Sequence, residues 1–489
     1  MTSADGQPDA DGQHADEQHR TSGRLGPVVQ FALIAGPLLS MLDSSVVNVA
    51  SVPVARALHT GLGSVQWTVS GYLLALGAGL AATASLARRF GTLAVYRAGI
   101  AGFTAASAAC AFAPGISSLI AARAVQGLLA APLVPLAMSM LLGRGGARRA
   151  MSPTAGMLLF LGPALGPSVG GLLIGADLLG AGDGWRLVFL VNLPIGAAAY
   201  GASLRVPAGL APGRDPEGAR FDLPGLAALT AGLTALLLGA NQGASDGWGS
   251  AAALVPLAAG LVLTAGYLPW SKRVKRPALD LTLVRDPGAA LALALCATAS
   301  VVTFAALFLL PAFLQQAQGH SALVTGLAMA PQGVLTGVGM ALESRLRRRL
   351  DVRRTVAAGF AVLGAASLGM LGIGATTSPA VTAALLACRS VSIGLIINPL
   401  LTVLTGGLGE HRLGDANTLF SICQRLAGSF GIGLLAALYT ARAAHHGPVD
   451  ALHGVGLALA AVSALGLVAA SGLRRTEAAA TESPVSATG

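Results

Sequence analysis

Asp43 and Arg123 are ionisable side chains inside long apolar runs, the first in 28–50 and the second in 118–142. A charge at the bilayer centre costs about 2.5–3.5 kcal/mol even by the lower scales, so each is a functional hypothesis by default. A carboxylate can accept a proton; an arginine does not usefully lose one and needs an anionic partner. Held against Arg123, Asp43 would stay charged; parted from it in a dry interior, it would take a proton. Alternation between the two arrangements would bind H⁺ on one side of a membrane and release it on the other. The plainer reading is a static ion pair that pins two helices. Gln126, three residues after Arg123 in RAVQG, shares its helical face. Depths agree as well. Asp43 lies about eight residues, roughly 12 Å, from the expected end of its helix, and Arg123 about six residues, roughly 9 Å, from the matching end of its own. A direct or water-bridged Asp43–Arg123 contact is therefore predicted. Asn48 is five residues past Asp43, about 140° round the helix, and spacing alone does not put it on the same wall.

A second stretch, GPALGPSVGGLLIG at 162–175, crowds five glycines and two prolines into fourteen positions. Both residue types disfavour a helix interior. Gly162, Gly166 and Gly170 recur every four residues and make one ridge of bare backbone, a lengthened small-xxx-small contact. Pro163, Pro167, Gly171 and Gly175 form the adjacent ridge, where the prolines remove donors and bend the helix. Freed carbonyls are tolerated in a membrane only against protein or cavity water. A tightly packed, kinked element follows, either a moving or sealing interface or dense static packing.

The elements that must position these residues are membrane helices. Of 489 residues 54% are hydrophobic and only 11% charged, against about 25% charged in soluble domains. With roughly 20 apolar residues per span, about fourteen spans are read: 28–50, 66–86, 94–113, 118–142, 151–175, 185–204, 223–242, 251–270, 289–315, 322–342, 355–376, 379–405, 417–441 and 452–473. The net charge of +10 reflects short loops, not nucleic-acid binding. Arg88 and Arg89, Arg144 to Arg149, Arg205 to Arg220, Lys272 to Arg285, Arg345 to Arg354, Arg412 and Arg474–Arg475 fall on one side; the other holds little beyond Arg56, Arg186 and Arg442. Positive-inside bias then puts both termini in the cytoplasm.

An internal repeat divides the chain. ASLARRFGTLAVYRAGIAGF at 84–103 matches ESRLRRRLDVRRTVAAGF at 343–360, and RAVQG at 123–127 matches RSVSIG at 389–394. Two six-helix bundles at 25–204 and 289–473 are expected, with two additional transmembrane helices at 223–270 between them. Cytoplasmic loops at 205–222 and 271–288 and disordered cytoplasmic tails at 1–24 and 474–489 complete the expected layout. Repeated bundles about a midplane site are the architecture of secondary transporters.

At the motif level the chain resembles the major facilitator superfamily, and within it the 14-helix drug:proton antiporters. GPALGPSVGG is similar to the superfamily's antiporter motif gxxxGPxxGG, and RAVQG to its fourth-helix motif. LDSSVVNVASVP resembles the first-helix signature LDxTIVNVALP, and WRLVFLVNLPIG at 185–196 the sixth-helix signature. LQQAQGHSALVTGLAMAP at 314–331 resembles the pattern QxxxGxS…G…P, and Arg425 with Gly428 the thirteenth-helix Arg-x-x-Gly. The resemblance implies proton-coupled export of amphipathic drugs or antibiotics. It implies coupling by Asp43 and Arg123, cavity polarity from Gln126, Tyr72 and Asn192, and an antiporter helix built on Gly162, Pro163, Gly166, Pro167, Gly170 and Gly171. One departure stands out. The loop motif GxLaDRxGRK reads ASLARRFGTL, with Arg88 at the acidic position that caps a neighbouring helix in the family.

Other chemistry is disfavoured. Cys110, Cys296, Cys388 and Cys423 lie in apolar stretches without paired spacing and read as small hydrophobes. The eight histidines fall in tails or near loops, and no HExxH, GxSxG or P-loop occurs. No metal, cofactor or enzymatic activity is expected. Besides Asp43, the embedded charges are Arg389 and Arg425, which points to neutral, zwitterionic or weakly anionic substrates rather than dications. The Ala, Gly and Arg excess suggests a GC-rich bacterium such as an actinomycete, and so a multi-pass protein of the bacterial cell membrane, functional as a monomer. Rival readings are an exporter of an endogenous metabolite or amino acid, an uptake carrier on the same fold, and a membrane enzyme.

Overall fold

A computed structural model of the chain describes residues 26–142, 166–180, 182–210, 222–247, 249–274, 277, 281–406, 408 and 410–473. Among them every regular element is a helix. The helices are α1 (Pro27–Ala57), α2 (Leu62–Phe90), α3 (Thr92–Ala111), α4 (Ile116–Ala130), α5 (Leu133–Leu142), α6 (Gly166–Ala176), α7 (Leu187–Leu190) and α8 (Asn192–Ser203). They continue with α9 (Leu223–Asp246), α10 (Ala251–Arg273), α11 (Pro287–Gln316), α12 (Ala322–Met329), α13 (Pro331–Leu346), α14 (Val352–Gly369), α15 (Pro379–Thr405), α16 (Glu410–His446) and α17 (Pro448–Ala470). Local chemistry sets many starts. Asp222, Ser250, Asp286, Ser321, Asp351 and Ser378 each accept a backbone N–H as N-caps. Pro132 and Pro331 fall where two spans break, between α4 and α5 and between α12 and α13.

Twelve spans among the described residues are long and apolar enough to cross a membrane, α4–α5, α7–α8 and α12–α13 each counting once. Two shorter apolar helices, Gly166–Ala176 and Leu223–Gly239, lie where the fifth and seventh spans were expected.

Packing sorts the helices into two groups. α1, α2, α3, α4, α5 and α8 contact one another, and α11, α13, α14, α15, α16 and α17 do likewise. α9 lies across the seam between them, against both α2 and α16, while α10 finds its main partner in α9. Gly232, Gly239 and Gly260 let those two helices touch backbone to backbone. Asp222 accepts a 2.9 Å hydrogen bond from the Trp270 indole and ties the far ends of this hairpin together.

Among the described residues, the hydrogen bonds that join the two groups lie in the half remote from the chain ends. Ser70 and Ser429 exchange hydroxyl-to-carbonyl bonds of 3.4 and 2.9 Å. Ser168 donates to the Gly326 carbonyl at 3.2 Å. Gln315 donates to the Val49 carbonyl at 2.9 Å. Val52, Leu62 and Ala312 add a small apolar plug nearby. The Val49 contact has a sequence cause. Pro53 sits inside α1 and has no N–H to offer the carbonyl four residues back, which is Val49's. Gln315, the first fixed residue of the QxxxGxS pattern, supplies the missing donor from the other bundle. Gly319 then turns the chain at φ +71° and Ser321 caps α12, so all three fixed positions have structural work.

α1 therefore continues through Pro53 to Ala57, seven residues past the expected end at 50. Asp43 stands near its middle, not a short way from one end.

Candidate functional site

Asp43 and Arg123 meet. Arg123 Nη1 donates to Asp43 Oδ2 at 2.5 Å, and both side chains are 0% exposed. The expected depths rested on helix ends that the structure moves. Asp43 is 14 residues from the end of α1 at Ala57, and Arg123 is 7 from the start of α4 at Ile116.

Around the pair, the structure gathers residues from six helices. Gln126 Nε2 and Asn192 Nδ2 both donate to Asp43 Oδ1, at 3.1 and 2.9 Å. Gln126 Oε1 accepts from Arg123 Nη1 at 2.6 Å, and its Nε2 also donates to Ser107 Oγ at 2.7 Å. Arg123 Nε donates to the Thr68 carbonyl of α2 at 3.0 Å. The Tyr72 ring lies 4.0 Å from the Arg123 guanidinium carbon, with Phe189 5.7 Å away. Tyr72 Oη in turn lies 3.3 Å from Ser40 Oγ. Gln126, Tyr72 and Asn192, expected as cavity polarity, are all fully buried about the ion pair. Asn48 turns back on its own helix, donating to the Ser44 and Ser45 carbonyls.

Gly127 makes this geometry attainable. A Cβ there would collide with the Tyr72 carbonyl, so bare backbone lets α4 approach α2 closely enough for Arg123 to reach Thr68. Ser107 and the Thr68 carbonyl escaped the sequence reading. One hydroxyl in an Ala-rich helix is a weak signal, and a backbone acceptor gives none.

With three N–H donors on its two oxygens, Asp43 is arranged as a carboxylate, which is acceptor-only.

The described part of the glycine-rich helix uses its two ridges on two different neighbours. A Cβ at Gly166 or Gly170 would strike Ser45 or Val46 of α1, within the first bundle. A Cβ at Gly171 would strike the Ala322 carbonyl of α12, in the second, and Gly326 of α12 abuts the Pro167 carbonyl in return. α6 is therefore wedged between the bundles. Gly162 and Pro163 lie outside the described residues.

The second half repeats the arginine with different company. Arg389 Nη1 donates to the Thr303 carbonyl at 2.6 Å and Nη2 to Gln332 Oε1 at 3.1 Å, while Nε has no partner. Gly394 and Gly339 bring α15 against α13, as Gly127 brings α4 against α2. Arg425 on α16 is half-buried and makes no hydrogen bond or ion pair among the described residues. Arg88, at the departed motif position, donates to Ser85 of its own helix at 3.0 Å.

Residues 33–432 match the model of the Major Facilitator Superfamily. A methylenomycin A resistance protein of Streptomyces coelicolor is 30% identical over 92% of this chain and 94% of its own length. A cephamycin export protein of Amycolatopsis lactamdurans is 34% identical over 87% and 89%. A Mycobacterium tuberculosis protein named as a homolog of multidrug resistance protein B is 31% identical over 83% and 75%. Among solved structures, a POT family transporter bound to 5-aminolevulinic acid superposes with a TM-score of 0.68 over 91% of this chain and 96% of that one, at 11% identity. At that identity the likeness is one of fold.

Proposed function

The chain belongs to the Major Facilitator Superfamily, and on that premise we propose that it is a secondary active exporter that moves an amphipathic drug or antibiotic out of a bacterial cell in exchange for protons. The relatives' names support the export reading: they are resistance and antibiotic-export proteins along most of their length. The observation that carries the coupling is the fully buried Asp43–Arg123 pair with Gln126 and Asn192 on the same carboxylate. All of these groups belong to the first bundle, so the switch proposed here trades partners as that bundle repacks, and a buried carboxylate held by a cation is the kind of group that serves as a proton relay.

The same reading completes the architecture. Fourteen spans are proposed, with Gly166–Ala176 the described part of the fifth and α9 the seventh. Bundles run over 25–204 and 289–473, and 223–270 is the inserted hairpin. Both termini lie in the cytoplasm, in line with the arginine distribution. The Gln315–Val49 and Ser70–Ser429 contacts then close the outer side. In that state Asp43 is deprotonated and the substrate enters from the cytoplasm. Motion about α6 opens the outer side, where a proton displaces Arg123 from Asp43 and the substrate leaves. The chain works as a monomer, with substrate, protons and lipid its only partners.

Expression in a host stripped of its main efflux pumps tests the export reading. Susceptibility to some members of a broad antibiotic panel should fall, and the Asp43→Asn variant should not confer this. An unchanged response to every compound would defeat it.

A further inference from the structure

We propose that Arg425 receives an anionic group, such as a carboxylate, on the transported amphipath. This rests on the export reading and names the chemistry of its substrate.

The argument begins with charge. The embedded ions of the first bundle cancel, Asp43 against Arg123. In the second bundle they do not. Its acids are Asp286, Glu343, Asp351, Glu410, Asp415 and Asp450, all toward helix ends. Asp286 and Asp351 are spent as N-caps, Glu343 pairs with Arg347 at 3.0 Å, and Asp450 pairs with Arg442 at 3.1 Å. No acid occurs anywhere in 379–405 or 416–441, the apolar lengths that carry Arg389 and Arg425. Arg389 has only neutral acceptors, and Arg425 has none among the described residues. Among the described residues, two positive charges therefore stand in the membrane interior of one bundle without a carboxylate. Such ions need a counter-charge or water.

Position decides what the counter-charge is. Arg425 faces the seam: a Cβ on Gly77 of α2 would lie 3.7 Å from its own Cβ. It stands one helical turn, about 6 Å, on the chain-end side of the Ser429–Ser70 contact that closes the seam. A molecule entering the seam from the chain-end side meets Arg425 before that closure. Where α2 and α16 meet beside it the side chains are apolar, Leu74, Ala81, Ile422 and Leu426 among them. A fixed cation beside an apolar wall matches an amphipath with an acidic head. A guanidinium suits a carboxylate because it offers two parallel N–H donors.

The test uses matched probes. Pyrenebutyrate, naphthaleneacetate and dodecanoate, each against its primary amide, are offered to everted vesicles energised by a proton gradient and containing the full chain. The expected result is preference for acid over amide in the wild type. In Arg425→Gln the acid-to-amide ratio should fall about tenfold or more, and in Arg425→Lys it should be largely kept. Equal loss on acid and amide would make Arg425 structural and overturn the proposal while leaving export intact. So would a wild type that moves the amides and ignores the acids, a reading available even if Arg425→Gln does not reach the membrane. A wild type that moves neither class, together with an unchanged antibiotic response, would remove the export reading as well.

Discussion

Gln315 and Pro53 are linked through one carbonyl: the proline deprives Val49 of its helical donor, and the glutamine of the opposite bundle replaces it. A contact between the two bundles thus depends on a defect inside one helix. Gln315→Leu should leave a buried carbonyl without a donor, at a cost of about 1–3 kcal/mol to the closed form. Pro53→Ala restores the intrahelical bond and should remove most of that penalty. Thermal unfolding of the single and double variants in detergent would measure it. Strictly additive losses would show that the two residues do not share the carbonyl.

For coupling, the decisive substitution is Asp43→Asn. It keeps the shape and most hydrogen bonds but cannot alternate between charged and protonated forms. Purified protein in liposomes, given an imposed pH jump, should move substrate uphill in the wild type and only to equilibrium in the variant. Continued uphill movement by Asp43→Asn would assign the proton to another group.

Arg123→Met should be harsher on stability than on shape. It leaves Asp43 buried without its cation, a loss of about 3–5 kcal/mol. Asp43→Asn combined with Arg123→Met removes both charges and should recover part of that loss. A double variant no more stable than Arg123→Met alone would count against the ion pair as the source of the penalty.

α6 offers a graded test of the wedge between bundles. Gly171→Val must push against the Ala322 backbone and should reduce transport sharply, with about 1–3 kcal/mol lost to overpacking. Gly175→Ala, whose added Cβ would find Leu323 Cβ at an ordinary 3.5 Å, should be tolerated. Transport rates of the two variants in vesicles, normalised to protein reaching the membrane, would separate them; equal rates would deny α6 this role.

Asp43 and Arg123 were legible because a charge in an apolar run is costly enough to stand out, whether it serves coupling or a static ion pair. Their contact was anticipated from depths that proved wrong in detail. Pro53 reads as a helix end, and nothing local shows that α1 continues through it. The two glycine ridges were equally visible as ridges, since four-residue spacing fixes the face they occupy. Which helix each ridge meets was not, because Ser45 and Ala322 are distant in sequence and carry no mark of the encounter. Asn192 entered only by resemblance, Ser107 not at all, and the Thr68 carbonyl had no signal to offer. Side-chain charge and periodicity speak in sequence; backbone acceptors and long-range neighbours do not.

α9 rests on α2 and α16 together, and those helices belong to different bundles. Whenever the bundles rock, their shared rider must slip on one of them or tilt, and α10, which leans mainly on α9, is swept sideways with it. An exporter that works by such rocking would displace acyl chains around that outrigger, and bilayer thickness and stiffness would then become part of the drag on its cycle.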